Sequence, residues 1–330
     1  MKNRNSVDVV LAALIASFVI FGLVLPGSLQ AATYPDKGRP ITLLLPNPAG
    51  GSSDTTVRLL APILEKELGT PVQVVNKVGA GLQVGTTEFV RSRPDGYTVG
   101  YVVLPTVMTT YLNPERKAIF SRKSFELLAL VDTDPGVIAV KGNSPYKTLK
   151  DVINAAKANP EKIKTTTAGI LSDDHIAAME TEKLTGVKFA IVHFDGGVPA
   201  RNAVIGGHVE VFYGNVADVQ GLITTGELRL LAVMDRQRSK YYPDVKTAEE
   251  QGYKIYSGTH RGFVLQAGTP KEVLNVMIEK LRKAITSDEY TTRMEKLGYT
   301  PRYMDPNAFS NLWADYEARA KNWLEWVKEK

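Results

Sequence analysis

Four short stretches bring together residue types that can hold an anion. The first is Gly50-Gly51-Ser52-Ser53-Asp54. Two glycines let the chain turn sharply and bring its backbone close to a bound group with no Cβ in the way. Ser52, Ser53 and Asp54 are then N-cap candidates for a segment in which Val57, Leu60, Ala61, Leu64 and Leu68 recur at helical spacing. Such a helix start offers unpaired N–H groups and a partial positive charge, a natural seat for a carboxylate or phosphate. The same residues equally make an ordinary capped strand-to-helix turn, and this segment alone does not separate the two.

The second stretch is Gly79-Ala80-Gly81-Leu82-Gln83-Val84-Gly85. Its spacing is G-x-G-x-x-x-G, and the strand that follows, Thr98 to Leu104, ends in Pro105-Thr106 without the acidic residue that would hold a ribose. A dinucleotide site is therefore not expected, and the loop reads as a second anion-facing turn or simply as a tight one. Ala168-Gly169-Ile170-Leu171-Ser172-Asp173-Asp174-His175 and Phe194-Asp195-Gly196-Gly197 repeat the design: a short strand, small residues, then a helix start, with Pro199 in the first turn of the last.

Ser172, Asp174 and His175, or Ser53 with Asp54, also suggest an exported α/β hydrolase. There is no G-x-S-x-G elbow, no H-E-x-x-H pair and no Cys, and His175, His193, His208 and His260 lie in separate segments. Ser, Asp and His at a helix start are more often caps. No catalytic residue, metal ligand or cofactor is expected.

The elements that position these loops alternate. Ile41 to Leu45, Val72 to Asn76, Thr98 to Leu104, Lys164 to Thr167, Phe189 to His193, Val209 to Tyr213, Leu228 to Met234 and Gly262 to Gln266 read as strands. Leu127 to Val131 and Val137 to Lys141 read as two more, parted by the turn formers Asp132 to Gly136, where a change of domain is expected. Thr148 with Asp151 makes a capping box. Asp305 and Pro306 open a final helix whose Phe309, Leu312, Trp313, Tyr316, Trp323 and Val327 form a core-facing stripe. This pattern predicts an α/β protein with two mostly parallel sheets flanked by helices, with ligands at the strands' C-terminal ends.

The chain has 330 residues, of which 44% are hydrophobic and 23% charged, ordinary values for about two globular domains. Lys2 and Arg4, an uncharged run from Val9 to Leu25, and Gln30-Ala31-Ala32 have the order of a secretory signal, with cleavage expected near Ala31 and an uncleaved anchor as the lesser reading. The net charge is +5, and Lys2 and Arg4 against Asp8 account for +1 of it, leaving +4 for the mature chain. Its basic residues are interspersed with acidic ones, so no nucleic-acid partner is expected. With no Cys there is no disulfide, thiol or lipid anchor, which suits a diffusible periplasmic monomer.

Tyr34-Pro35, the Gly-rich stretch ending at Asp54, Gly79-Ala80-Gly81, Pro94-Asp95-Gly96-Tyr97-Thr98, Gly206-Gly207-His208-Val209, Gly226 to Val233, Pro243 to Thr247 and Gly268-Thr269-Pro270 occur in one order along the chain. Together they resemble the substrate-binding proteins of tripartite tricarboxylate transporters, the Bug proteins. The resemblance implies a two-lobed periplasmic-binding-protein fold of type II-like form, here 32–135 with 258–330 as one lobe and 136–257 as the other. It implies a receptor that passes a small organic carboxylate to membrane transporter subunits; a carboxylate sensor or adaptor shares the same ligand chemistry.

Carried over, the contacts are Gly51, Ser52, Ser53, Asp54 and the turn Ala80, Gly81, Leu82, Gln83 on the first lobe, and Ala168, Gly169, Ser172, His175, Asp195, Gly196 and Gly197 on the second. Thr106 at the end of its strand is a further candidate. Leu82 stands where the family often has Gly, His193-Phe194 where Pro-Tyr is common, and His260 where an aromatic residue is usual. Phe194 would make an apolar wall suited to an aromatic acid. Arg261 is expected at the cleft mouth, pairing a second carboxylate of a di- or tricarboxylate or bridging the lobes.

Overall fold

Where short apolar runs alternate with amphipathic ones, the chain builds strand–helix units, and these supply both ends of one long sheet. The computed structural model describes residues 34–328; the expected leader, 1–31, and its cleavage lie outside the described residues. From Lys37 onward the described chain forms one unit. Its elements are β1 (Ile41–Leu45), α1 (Ser52–Leu68), β2 (Val72–Asn76), α2 (Gln83–Arg91), β3 (Thr98–Leu104), α3 (Thr106–Leu112), β4 (Phe125–Lys141), α4 (Leu149–Ala158), β5 (Lys164–Thr167), α5 (Asp173–Thr185), β6 (Ala190–His193), α6 (Gly197–Ile205), β7 (Val211–Asn215), β8 (Leu228–Met234), β9 (Gly258–Gln266), α7 (Lys271–Ile285), α8 (Asp288–Lys296), β10 (Pro301–Met304) and α9 (Pro306–Lys328).

The strand order is β2-β1-β3-β9-β4-β7-β5-β6, with β8 and β10 also on β4. Pairing is parallel at both ends, where helices cross between strands. It is antiparallel along β9 and β4 in the middle. The two helix-flanked halves make a two-lobed α/β fold, mixed in strand direction because its central strands run against the strand–helix units.

One expectation is corrected here. Asp132 to Gly136 is not a turn: β4 runs unbroken for 17 residues. It pairs with β9 as far as Pro135 and with β7 and β8 from Gly136 onward. Asp132 and Asp134 are absorbed by the strand because a cation on β9 faces them. Gly136 is needed for close approach, since a Cβ there would lie 2.7 Å from Met234 Cε. Opposite, a Cβ at Gly258 would lie 2.8 Å from the Asp134 carbonyl oxygen.

Local signals elsewhere set the element ends. The Thr148 hydroxyl accepts from Asp151 N at 3.2 Å while Asp151 accepts from Thr148 N at 2.8 Å. Asp305 caps α9 by accepting from Ala308 N at 2.9 Å. Phe309 and Trp313 of α9 then sit fully buried with Phe125, Met108 and Leu130 in the core beneath the first sheet half. Trp313 Nε1 donates to the Tyr111 hydroxyl at 2.8 Å, which satisfies its one polar group. Trp313→Ala is therefore expected to cost about 3–5 kcal/mol through the cavity it leaves. Urea unfolding measures this, and a loss below about 1 kcal/mol would mean that α9 is not anchored there.

Candidate functional site

The first turns of α1, α5 and α6 open onto one cavity of about 80 Å³. By the same measure one water occupies about 10–15 Å³, so there is room for a small organic solute or several waters. Gly51, Ser52 and Ser53 line it from α1, Ser172, Asp173 and Asp174 from α5, and Gly196, Gly197 and Val198 from α6. Gly81 and Leu82 close one side, with Thr106 and Ala168 behind. Asp195 lies on the wall as well, itself exposed. Pro48 and Gly196, both on the wall, pack directly against each other: a Cβ on Gly196 would meet Pro48 Cγ at 3.2 Å.

The helix starts differ in how they are capped. Gly51, not one of the three polar residues after it, is the N-cap of α1, and no side chain caps that end. Asp54 lies in the first turn but off the cavity wall. Its carboxylate accepts from Arg58 Nε and Gly50 N at 2.9 Å and from Asn76 Nδ2 at 3.0 Å. Burial works against its charge, but these partners hold its pKa below the usual range. The start of α6 also lacks a side-chain cap. The start of α5 is different: the Ser172 hydroxyl accepts from His175 N at 3.2 Å, and Asp173 and Asp174 fill the first turn.

Several candidate residues lie elsewhere. Ala80 and Gln83 border a separate surface depression beside Arg91. Gln83 Nε2 donates to the Arg116 carbonyl at 2.8 Å, so the side chain ties down the turn. His175 is buried off the cavity, its Nδ1 accepting from Leu171 N at 2.9 Å and its ring edge-on to His193 at 4.6 Å. Ser172 and His175 thus meet through a backbone cap, an arrangement without the serine-to-imidazole contact of a hydrolase. Gly169 is absent from the wall, and Phe194 packs against the core cluster of Ala200 and Val216 instead of walling the cavity.

Arg261 lines the cavity but is not at its mouth; it is 2% exposed. The expectation of a guanidinium at the cleft mouth is corrected by register. Asp132 pairs directly with Arg261 across the β4–β9 ladder. Asp134, two residues on, shares Asp132's face of the strand. Arg261 donates to Asp132 Oδ1 at 2.8 Å, to Asp134 Oδ2 at 3.0 Å and to Ser52 Oγ at 3.0 Å. Since Ser52 accepts that bond, its own hydroxyl hydrogen is left to donate. Burial opposes the Arg261 charge, yet Asp132 and Asp134 raise its pKa further above an already high value.

The polar floor was missed by motif reading. Asn215 Nδ2 donates to Asp173 Oδ2 at 3.0 Å and to the Asp134 carbonyl at 3.1 Å, and Asn215 N donates to Asp218 Oδ2 at 3.3 Å. Asp218 would be 2.9 Å from a Cβ on Gly197. Burial pushes the Asp134 pKa up to about 7, Arg261 holding it down and Asp218 and Asp132 adding to the rise. Asp173 and Asp174 are both raised, by burial first, and Asp174 also by the charges of Asp173 and Asp218. The readable signals were the alternation Asp132-x-Asp134 within an apolar run and the Asn215-x-x-Asp218 capping-box spacing. Among the described residues, no three His, Asp or Glu side chains are grouped to hold a metal ion.

A model of the tripartite tricarboxylate transporter family receptor, TctC, matches residues 56–328. A Cupriavidus necator protein described as the UPF0065 protein in the gbd 5′ region is 30% identical over 318 residues, 95% of each chain. The solved TctC solute-binding protein from Polaromonas, without ligand, is 32% identical with a TM-score of 0.68, covering 90% of this chain and 100% of that one. Two Rhodopseudomonas palustris structures share the fold at lower identity. MatC with bound malate is 23% identical, with a TM-score of 0.79 over 87% of this chain and 99% of that one. Rpa4515 with adipate is 22% identical, with a TM-score of 0.83 over 89% and 98%.

Two outcomes follow from the buried charges. Arg261→Met leaves two buried carboxylates without their cation and should cost about 3–5 kcal/mol in urea unfolding; an unchanged midpoint would mean the pair is not buried. Asp134, with its pKa raised, holds a proton in the folded state over the range where the unfolded chain has lost it. Its contribution is therefore full below about pH 4 and is lost as pH rises toward 7. The stability of the wild type relative to Asp134→Asn should fall with pH across that window, by up to about 1.4 kcal/mol per unit. A flat difference in urea titrations would contradict the assignment.

Proposed function

Because the chain belongs to the tripartite tricarboxylate transporter receptor family of periplasmic solute-binding proteins, we propose that it captures a small organic carboxylate and delivers it to a membrane transporter. One observation carries this reading: the first turn of α1, without a side-chain cap, faces the cavity beside a Ser52 hydroxyl held by Arg261. The carboxylate sits on the N–H groups of that turn, with Ser52 and Ser53 as side-chain donors. The malate and adipate held by the two R. palustris proteins support an acid as the solute class.

Charge-assisted hydrogen bonds contribute about 1.5–3 kcal/mol each, and micromolar affinity needs about 8 kcal/mol. Three or four bonds at the start of α1, less the cost of ordering, reach that range without a dedicated counter-charge. Residues 32–135 with 258–330 form one lobe and 136–257 the other, and contacts from α5 and α6 favour the closed form once solute is bound. The leader is removed near Ala31, and the mature monomer meets its transporter subunits in the periplasm.

A thermal-shift screen of mono-, di- and tricarboxylates, aromatic acids and sugars tests this. An acid at 100 times its dissociation constant should stabilise the protein by about 2.7 kcal/mol. At Gly51 a Cβ meets Pro48 O at 3.5 Å and Val198 Cγ2 at 3.7 Å, ordinary contacts, so Gly51→Val is checked for folding by circular dichroism before binding is read. Its methyls enter the cavity at the anion's place, so the shift should vanish. If sugars alone stabilise the protein, or if Gly51→Val binds acids as the wild type does, the reading fails.

A further inference from the structure

Much of the cavity's polar lining comes from the starts of α1, α5 and α6, whereas Val78, Leu82 and Val103 supply apolar wall. Leu82 reaches that wall from an unusual backbone. Ala80, Gly81 and Leu82 have φ values of 49°, 57° and 72°, three left-handed residues in a row. An L side chain in this region crowds the carbonyl that follows it, so glycine is the residue that visits it freely. Five non-glycine residues among those described have a positive φ, and of these Leu82 is the one that lines the cavity.

Such a conformation persists only where its surroundings hold it, and here they hold both ends of the turn. The Arg116 guanidinium donates to the Ala80 carbonyl, and the Arg116 carbonyl accepts from Gln83 Nε2 at 2.8 Å. The Leu82 carbonyl accepts from Thr86 N at 3.1 Å and from Thr86 Oγ1 at 2.8 Å. None of these bonds uses the leucine side chain. Leu82 is half-buried and outside the fully buried core, so packing does not account for a leucine where the backbone suits glycine. What the side chain does there is occupy cavity wall.

We propose that Leu82 is a specificity-determining residue, a fixed stop that limits the length of the solute's carbon skeleton. The assignment rests on the carboxylate reading of the site and refines it. With the carboxylate at the start of α1, the skeleton has to fit within a cavity of about 80 Å³. A side chain on a free loop would swing aside for a longer solute, but one on a turn tied at Ala80, Leu82 and Gln83 stays in place. The turn gives the stop its rigidity, and the leucine gives it bulk.

The test is calorimetric titration of the wild type, Leu82→Ala and Leu82→Gly with straight-chain acids of increasing length, acetate to hexanoate and malonate to pimelate. In whichever series binds, wild-type affinity should fall by roughly tenfold or more once the best acid is lengthened by a methylene or two, the scale of penalty a close apolar wall imposes. In both variants the longer acid should return to within about threefold of the best one. Urea unfolding without solute reads the backbone separately: Leu82→Gly should be at least as stable as Leu82→Ala, the reverse of their order where φ is negative. If the length profile of both variants matches the wild type, if every acid weakens by one common factor, or if the glycine variant is the less stable, the inference is overturned while the carboxylate receptor stands. If no acid binds the wild type, both fall.

Discussion

A single buried cation holds the centre of this molecule together. Arg261 lies where β9 meets β4, and its guanidinium joins two strand residues, Asp132 and Asp134, to the first residue of α1, Ser52. Moving such a charge out of water costs several kcal/mol, recovered only when good partners surround it. Here they do, and the partners are themselves tied outward. Asp134 Oδ1 accepts from Ala217 N at 3.2 Å, and its carbonyl accepts from Asn215. Four separate chain segments are therefore fixed relative to one another by one ion cluster, and the cavity takes its shape from the same contacts.

Much of the fold could be read locally. Gly-rich loops, the Thr148–Asp151 capping box and the Asp305-Pro306 helix start are all signals within four residues, and all form where the residues point to them. Asp132 to Gly136 shows where that approach ends. Its residues favour a turn in isolation, but Arg261, 129 positions away, turns two of them into buried strand residues. A short-range reading has no access to that partner. Arg261 is singled out by the sequence but set at the cleft mouth, because an arginine in an otherwise apolar strand gives no sign of the acids across the ladder.

Among the candidate contacts chosen for their backbones, Gly51, Gly81, Gly196 and Gly197 lie on the cavity wall, while Gly169 and Ala80 do not. Side chains chosen for their chemistry fared unevenly. His175 and Asp54 found partners nearer home, as polar groups at helix starts tend to do. Asp173, Asp218 and Asn215, none of them among the candidate contacts, form the floor instead. The acidity of this floor arises only when a helix start, a strand end and a short turn meet, which no single segment announces.

Because β4 serves both halves of the sheet without a break, it acts as an axle. The change of partner strands falls at Pro135 and Gly136, opposite Gly258, where backbones approach too closely for side chains. A rotation of one half against the other about this line would displace atoms in proportion to their distance from it. Arg261, three residues along β9 from Gly258, is about 10 Å from that line. The buried ion cluster therefore sits beside the one part of the sheet that such a rotation would leave in place, and the helix starts that line the cavity are held to that fixed point through Ser52 and Asn215.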